Sequence, residues 1–302
     1  MIKPNVGVIG LGAMGMGVAR SLLRAGFTVA ACDLRAEARA AIEAAGGAAY
    51  ASPADVGKSS AVVITLVVNA EQTEQVLFGA GGAVETMAPG SVVIASATVA
   101  PEFAIALSKR LAARNLSMLD APVSGGAAKA AQGQMTIMGS GPDAVFDKVR
   151  PVLTAIASKV YQLSDAAGAG STVKMVNQLL AGVHIAAAAE AMALAIRAGA
   201  DPAKTFEVIS NSAGSSWMFQ NRVPHILAGD YTPLSAVNIF VKDLGLVSDA
   251  ARKLMFPVPL TAAALQMFVA ASAAGYGGED DSAVIKAYAD LTGISLPAKA
   301  PI

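Results

Sequence analysis

GAGSTVKMVNQLLAGVHIAAAAEAMALAIRAG, Gly168 to Gly199, decides how the rest of this sequence is read. No proline occurs between Ser171 and Asp201, and Ala, Leu, Met and Ile, good helix formers, fill the run. Val176, Leu180, Val183 and Ala187 recur at helical steps. Gly199 is placed to stop the helix, and Asp201-Pro202 reads as the N-cap and first residue of the next one. Such a helix would be roughly 40 Å long. Its sides are apolar or alanine nearly all round, which predicts burial. One polar cluster interrupts it near the start: Lys174, Asn177 and Gln178. Steps of three and four bring both amides to or near the face that carries the lysine. A lysine beside two amides at the head of an apolar helix is the candidate active centre.

Composition narrows the class. The 302 residues suit one large or two ordinary domains with ample core. Lys plus Arg equals Asp plus Glu at 22 each, and no basic run appears, so a nucleic-acid or anionic-membrane partner has no electrostatic footprint. The single cysteine, Cys32, excludes an intrachain disulfide and suits a reducing cytoplasm. Two histidines and one cysteine leave no credible metal site or Cys/His nucleophile. The longest apolar runs are interrupted by His184, Glu190 and Arg197, and Ala61–Val68 is too short to span a bilayer. Met1 and Lys3, followed by apolar residues, superficially suggest a leader, but the glycine-rich centre and missing cleavage pattern argue against one. The expectation is a soluble cytoplasmic protein.

Upstream of the long helix, short β-branched runs alternate with helical stretches. The expected strands are Val6–Ile9, Thr28–Cys32, Val62–Val67, Val92–Ala95, Ser117–Leu119, Met135–Met138 and Val160–Leu163. This alternation marks a mostly parallel sheet covered on both faces. From about residue 166 onward the pattern is helical only, over 171–198, 202–213, 216–229, 234–253, 257–275 and 280–292. The expected domains are therefore 1–165, α/β, and 166–302, all-α, joined by the long helix.

Val6-Gly-Val-Ile-Gly10-Leu-Gly12-Ala-Met-Gly15 is a strand running into G-x-G-x-x-G ahead of a helix. That pattern supplies a tight turn, a backbone that can touch a pyrophosphate and a helix N-terminus aimed at its charge. Asp33, at the end of the next strand, stands where a carboxylate can hold an adenosine ribose. The fold expected is thus a Rossmann-type doubly wound sheet, with Gly10, Leu11, Gly12, Ala13, Met14, Gly15 and Asp33 as dinucleotide-binding candidates. A plain glycine turn is the competing reading. Asp33 would repel a 2′-phosphate and favours NAD over NADP, although Arg35 could offset the repulsion. Val67, Val68 and Thr98 lie at carboxyl ends of later strands, where open sheets bind ligands; Thr98 reads equally as a turn former.

Asp120-Ala-Pro-Val-Ser124-Gly125-Gly126 follows another apolar strand. Its small residues leave backbone N–H groups uncovered, a receptor for a carboxylate, or else form a plain loop. Lys174 is the acid–base candidate, since burial or a second cation such as Lys242 lowers a lysine's affinity for its proton. The competing reading is a surface lysine. The run Glu279, Asp280, Asp281 reads as a solvated helix start.

Taken together these motifs resemble the β-hydroxyacid dehydrogenase family, which includes 3-hydroxyisobutyrate dehydrogenase and tartronate semialdehyde reductase. The likeness covers the whole chain. Gly10–Gly15 matches the cofactor signature, Asp120–Gly126 the substrate loop, Gly168-x-Gly170-x-x-x-Lys174 the catalytic segment, and Lys242-Asp243-Leu244 a further lysine segment. The resemblance implies that Lys174 is the acid–base, that Ser124, Gly125 and Gly126 hold a substrate carboxylate, and that Lys242 lies near nicotinamide and substrate. Two departures stand out: Ala95-Ser-Ala97-Thr98 replaces the more usual Asp-Ser-Ser-Thr, and Gln178, preceded by Asn177, takes a place that is Asn in many relatives. Either amide is a substrate candidate. The reaction expected is NAD-dependent oxidation of a four-carbon sugar acid, L-threonate, at its C2 hydroxyl. Tartronate semialdehyde and 3-hydroxyisobutyrate are alternative substrates, and a non-catalytic cofactor-binding module is a remote one. Ser212, Ser215, Ser216, Asn211 and Asn238 offer polar partners suited to a polyhydroxylated acid. The apolar surplus in the helical half, with the resemblance, points to a homodimer or homotetramer.

Overall fold

The computed structural model describes residues 3–299, so Met1 of the leader-like stretch lies outside the described residues. The chain divides into two compact units, Met1–Lys174 and Met175–Ile302.

The first unit is built on six parallel strands: β1 (Val6–Ile9), β2 (Val29–Cys32), β3 (Ala48–Tyr50), β4 (Val62–Thr65), β5 (Val92–Ala95) and β6 (Ser117–Asp120). Their order is β3-β2-β1-β4-β5-β6. The direction of winding reverses between β1 and β4, the place where doubly wound sheets leave a crevice at the strands' carboxyl ends. Alternate residues of each strand feed two cores. Val6, Val8, Val29, Ala31, Val62, Ile64, Val92 and Ile94 join one; Ile9, Ala30, Cys32, Val63, Val93 and Ala95 join the other. Burial on both faces is why these strands read as continuous apolar runs rather than as alternation.

Four details depart from the expected pattern, one being the last strand, which begins at Ala157 rather than Val160. β3 is an edge strand of Ala-Ala-Tyr without a β-branched residue, and gives no strand signal in the sequence. β4 stops at Thr65 rather than Val67, because Asn69 caps the next helix (Ala70–Phe78) by accepting the Gln72 N–H at 2.8 Å, and the chain must leave the sheet first. A two-residue strand, β7 (Val123–Ser124), forms inside the expected loop. It pairs antiparallel with β8 (Met135–Gly139), which in turn pairs parallel with β9 (Ala157–Gln162). An isolated bridge from Asp120 to Ser140 ties β6 to this small sheet.

The second unit is helical, with Pro202–Ser210, Trp217–Ala228, Val237–Lys253, Pro259–Ala271 and Val284–Thr292 following the long helix. Asp201 and Ser216 cap two of these by accepting the N–H groups of Lys204 and Phe219, and Gly229 ends one in the left-handed conformation. Phe240 stacks on Phe268 in the core, ring centroids 5.2 Å apart. The stretch expected as one helix over 257–275 ends at Ala271 and continues as a wide π turn (Ser272–Tyr276), because Gly275 takes φ +96°. The run Glu279–Asp281 is not a solvated helix start: Asp280 and Asp281 are fully buried. Asp280 caps a short 3₁₀ turn, and Asp281 takes both Nε and Nη2 of Arg222, at 2.5 and 3.0 Å.

The long helix, Ala169–Arg197, is long and apolar enough to cross a bilayer by length and composition, contrary to the sequence expectation. Ile185, Ala186, Ala188, Ala189, Met192 and Ala193 nonetheless belong to the core of the second unit, which makes it a core helix. Burial is not all round as expected: Val176, Leu180 and Leu194 stay half or more exposed. Apolar residues occupy every side of this helix, and a packed core covers only part of its circumference.

Candidate active site

The glycine turn after β1 separates into positions that the fold requires and one that it does not. Gly10 has φ +94°, and a side chain there would press on the Leu66 carbonyl. A Cβ on Gly15 would lie 1.8 Å from the Gly10 carbonyl oxygen, so nothing larger fits. Gly17, which sequence reading passed over, lets the helix Gly15–Arg24 lie against the backbone of Ala130 and Ala131. Gly12 differs: it is exposed, and a Cβ there would meet no atom within 4 Å. Protein packing does not call for a glycine at that point.

Asp33 closes the turn from β2. Its Oδ2 accepts the Leu11 N–H at 2.7 Å, and its Oδ1 accepts the Arg35 backbone N–H at 2.9 Å and Nε at 3.0 Å. Partial burial pushes the carboxyl up, but these hydrogen bonds from Arg35 and Leu11 outweigh it and hold Asp33 below the usual carboxylate range. Arg35 also donates to the Leu11 carbonyl at 3.0 Å, so its guanidinium is drawn into the turn. Val67 and Thr98 are partly buried and Val68 exposed, beyond the ends of β4 and β5. Burial pushes the neighbouring Cys32 thiol up, away from thiolate reactivity.

In the segment expected to hold the substrate, Ser124 belongs to β7, and Gly125 and Gly126 turn the chain with φ +131° and +73° into the short helix Gly126–Gln132. Asp120, six residues before Gly126, does something the sequence did not disclose. Its Oδ2 accepts the N–H groups of Gly168 and Ser171, each at 2.9 Å, and its Oδ1 accepts the Ser171 hydroxyl at 2.7 Å. The Ser140 hydroxyl donates to Oδ2 at 3.2 Å and accepts the Gly170 N–H at 2.9 Å. Lys174 follows Ser171 by three residues on the same helix, and is only 8% exposed, which removes the surface-lysine reading.

Within the second unit a further polar cluster forms around Asp243, which is buried. Gln178 Nε2 donates to its Oδ2 at 2.5 Å and Lys242 Nζ to its Oδ1 at 2.5 Å. Asn177 Nδ2 donates to Gln178 Oε1 at 3.0 Å. The amide of Gln178 is thereby oriented from both ends. Asp243 sits beside Lys242 in the sequence, but the bond that gives it a role spans 65 residues, and no local pattern announces it. Among the described residues no group of three or more His, Cys, Asp or Glu side chains could hold a metal ion.

The same elements recur in known proteins. Residues 5–164 match the NAD-binding domain of 6-phosphogluconate dehydrogenase, and residues 168–288 match the NAD-binding segment of NADP-dependent 3-hydroxyisobutyrate dehydrogenase. The chain belongs to the 3-hydroxyisobutyrate dehydrogenase family. It is an NAD(P)-dependent hydroxyacid dehydrogenase by that membership. Among family members, an L-threonate dehydrogenase of Cupriavidus necator is 66% identical over 296 residues, 98% of this chain and 99% of that protein. One from Escherichia coli K12 is 53% identical over 294 residues, covering 97% and 96% of the two chains. A crystal structure of 3-hydroxyisobutyrate dehydrogenase from Salmonella typhimurium superposes with a TM-score of 0.90 at 56% identity, over 94% of this chain and 99% of that one. Open space at Gly12 and the turn held by Asp33 fit the dinucleotide that this family binds.

Proposed function

We propose that this protein oxidises L-threonate at its C2 hydroxyl to 2-oxo-tetronate with NAD as acceptor, using Lys174 as the acid–base. The observation that carries the substrate is the 66% identity, across 98% of the chain, to an L-threonate dehydrogenase. NAD, when bound, supplies the hydride acceptor; Gly10, Leu11, Gly12, Ala13, Met14, Gly15 and Asp33 would hold its adenosine and pyrophosphate. Val67, Val68, Thr98 and Lys242 are assigned to the rest of the cofactor. Lys174, buried in the chain, takes the hydroxyl proton. Ser124, Gly125 and Gly126 orient the acid's carboxylate, and Asn177 and Gln178 its hydroxyl groups. Preference for NAD over NADP follows from Asp33, whose ionised carboxyl would meet a 2′-phosphate. Arg35 is already paired with that carboxyl, which supports the preference.

The division of labour that we propose is dinucleotide binding by residues 1–165 and substrate binding with self-association by 166–302, in the cytoplasm. Exposed Val176, Leu180, Leu194, Leu254, Met255 and Phe256 support a homodimer or homotetramer, which light scattering on the purified protein would test. The activity itself is tested by NADH absorbance over a panel of L-threonate, tartronate semialdehyde and 3-hydroxyisobutyrate. Lys174→Ala should cut turnover about 10²–10⁴-fold while NAD still binds. Near-normal turnover in that variant would end the assignment.

A further inference from the structure

The long helix begins without a cap of its own. Residue 168 is glycine, at φ +113°, and has no side chain to accept the N–H groups of the first turn, which have no partner inside the helix. Those groups are met from elsewhere in the first unit. Gly168 and Ser171 donate to Asp120 at the end of β6, and Gly170 donates to Ser140 just beyond β8, which itself donates to Asp120. Asp120, Ser140 and Ser171 are each no more than 1% exposed. A carboxylate so deep in the protein is costly unless its lone pairs are filled; here they take four hydrogen bonds and sit against the positive end of a helix. The fit is tight: a Cβ on Gly170 would lie 2.4 Å from the Met138 carbonyl oxygen and 2.7 Å from that of Asp120, so the first turn is pressed flat on the strand ends.

We propose that Asp120 is the positioning residue for Lys174. From the strand that leads into Ser124–Gly126, it clamps the helix one turn before the amine. One carboxylate therefore sets both the start of the substrate loop and the starting point of the helix segment that carries the lysine. This rests on the acid–base reading of Lys174, and the test keeps the two apart.

Asp120→Asn replaces one acceptor oxygen with a donor. In place of Oδ1 the amide nitrogen faces only the Ser171 hydroxyl, which must turn to accept from it; in place of Oδ2 it opposes the Gly168 and Ser171 N–H groups. In either orientation the negative charge at the helix start is lost. In the complete protein with L-threonate and NAD, turnover should fall about 10- to 100-fold through misplacement of the amine, with NAD affinity little changed and any rise in KM for L-threonate smaller than the fall in turnover. Introduced into Lys174→Ala, the same substitution should alter residual turnover by about twofold or less, because nothing is left to position. A full multiplicative loss in that background would show that Asp120 acts on its own account or only through general stability, and would overturn the inference. So would unchanged turnover in the single variant. Wild-type turnover in Lys174→Ala alone would instead remove the acid–base assignment on which the inference stands. If Asp120→Asn does not fold, Ser171→Ala and Ser140→Ala each remove one arm of the clamp. Both should lower turnover several-fold, again only where Lys174 is present, and normal turnover in both refutes the clamp.

Discussion

On the proposed reading of the turn, Gly12→Ala should separate cofactor binding from folding. A methyl group at Gly12 meets nothing within 4 Å, whereas the same change at Gly15 drives a carbon to 1.8 Å from the Gly10 carbonyl oxygen. Gly12 also lacks the left-handed φ that would strain alanine. The apo variant should therefore be as stable as wild type, or more stable by about 0.4–1 kcal/mol, because the unfolded chain loses freedom. On that proposed reading, its methyl would occupy space that the pyrophosphate needs. A wild-type protein held at 100 times its NAD dissociation constant gains about 2.7 kcal/mol from the ligand. If the methyl weakens binding about 100-fold, the same NAD concentration gives only about 0.4 kcal/mol. At about 2–4 °C per kcal/mol for domains of this size, an NAD-induced shift of roughly 5–10 °C should shrink to about 1 °C. Thermal scans with and without NAD read both quantities at once. An undiminished NAD shift, or an apo Tm several degrees below wild type, would refute the reasoning; Gly15→Ala should fail already in the apo scan.

Three further outcomes follow from the polar contacts. Arg222→Ala leaves Asp281 buried without its cation and should cost about 3–5 kcal/mol in urea denaturation at neutral pH. Burial already pushes Asp281 up to about 6 despite Arg222, so its favourable contribution is complete below the ordinary 3.8 and fades as pH rises through about 6. In Arg222→Ala that fading should move to higher pH, and a deficit that stays constant between pH 5 and 8 would contradict the pairing. Asp33, by contrast, is held below its ordinary value; its contribution is present above that value and is lost as pH falls through the lowered one. NAD affinity measured by calorimetry should be level from pH 8 to 5, and Arg35→Ala should begin to lose affinity at a higher pH than wild type. Gln178→Ala takes a donor from buried Asp243 and should cost about 1–3 kcal/mol while raising KM for L-threonate more than that for NAD. An unchanged substrate KM would remove Gln178 from the substrate assignment.

The elements that the sequence displays are those whose signal is local. β1, β2, β5 and the caps at Asp201 and Ser216 follow from runs and single residues, and are found within a residue of their expected positions. β3 and β7 escape because three and two residues cannot express a period. The helix over 257–275 is interrupted by Gly275, whose positive φ is permitted but not demanded by its sequence neighbours. At the site, the glycine turn is legible because its constraints lie among neighbours in the chain. The clamps on Asp120 and Asp243 are not, since their partners are 51 and 65 residues away and exist only once the chain is folded. The same limit explains the misread carboxylates at 279–281, where Arg222 supplies from 59 residues away a counter-ion that a reader of the local run cannot see.

The unequal constraint on the three turn glycines bears on how such an enzyme would age if its cofactor ceased to matter. Gly10 and Gly15 are architectural and would persist in a descendant that kept only the scaffold, while Gly12 would be free to drift to any small residue. A homologue with the outer pair intact and the middle one filled would thus carry the fossil of a nucleotide cradle.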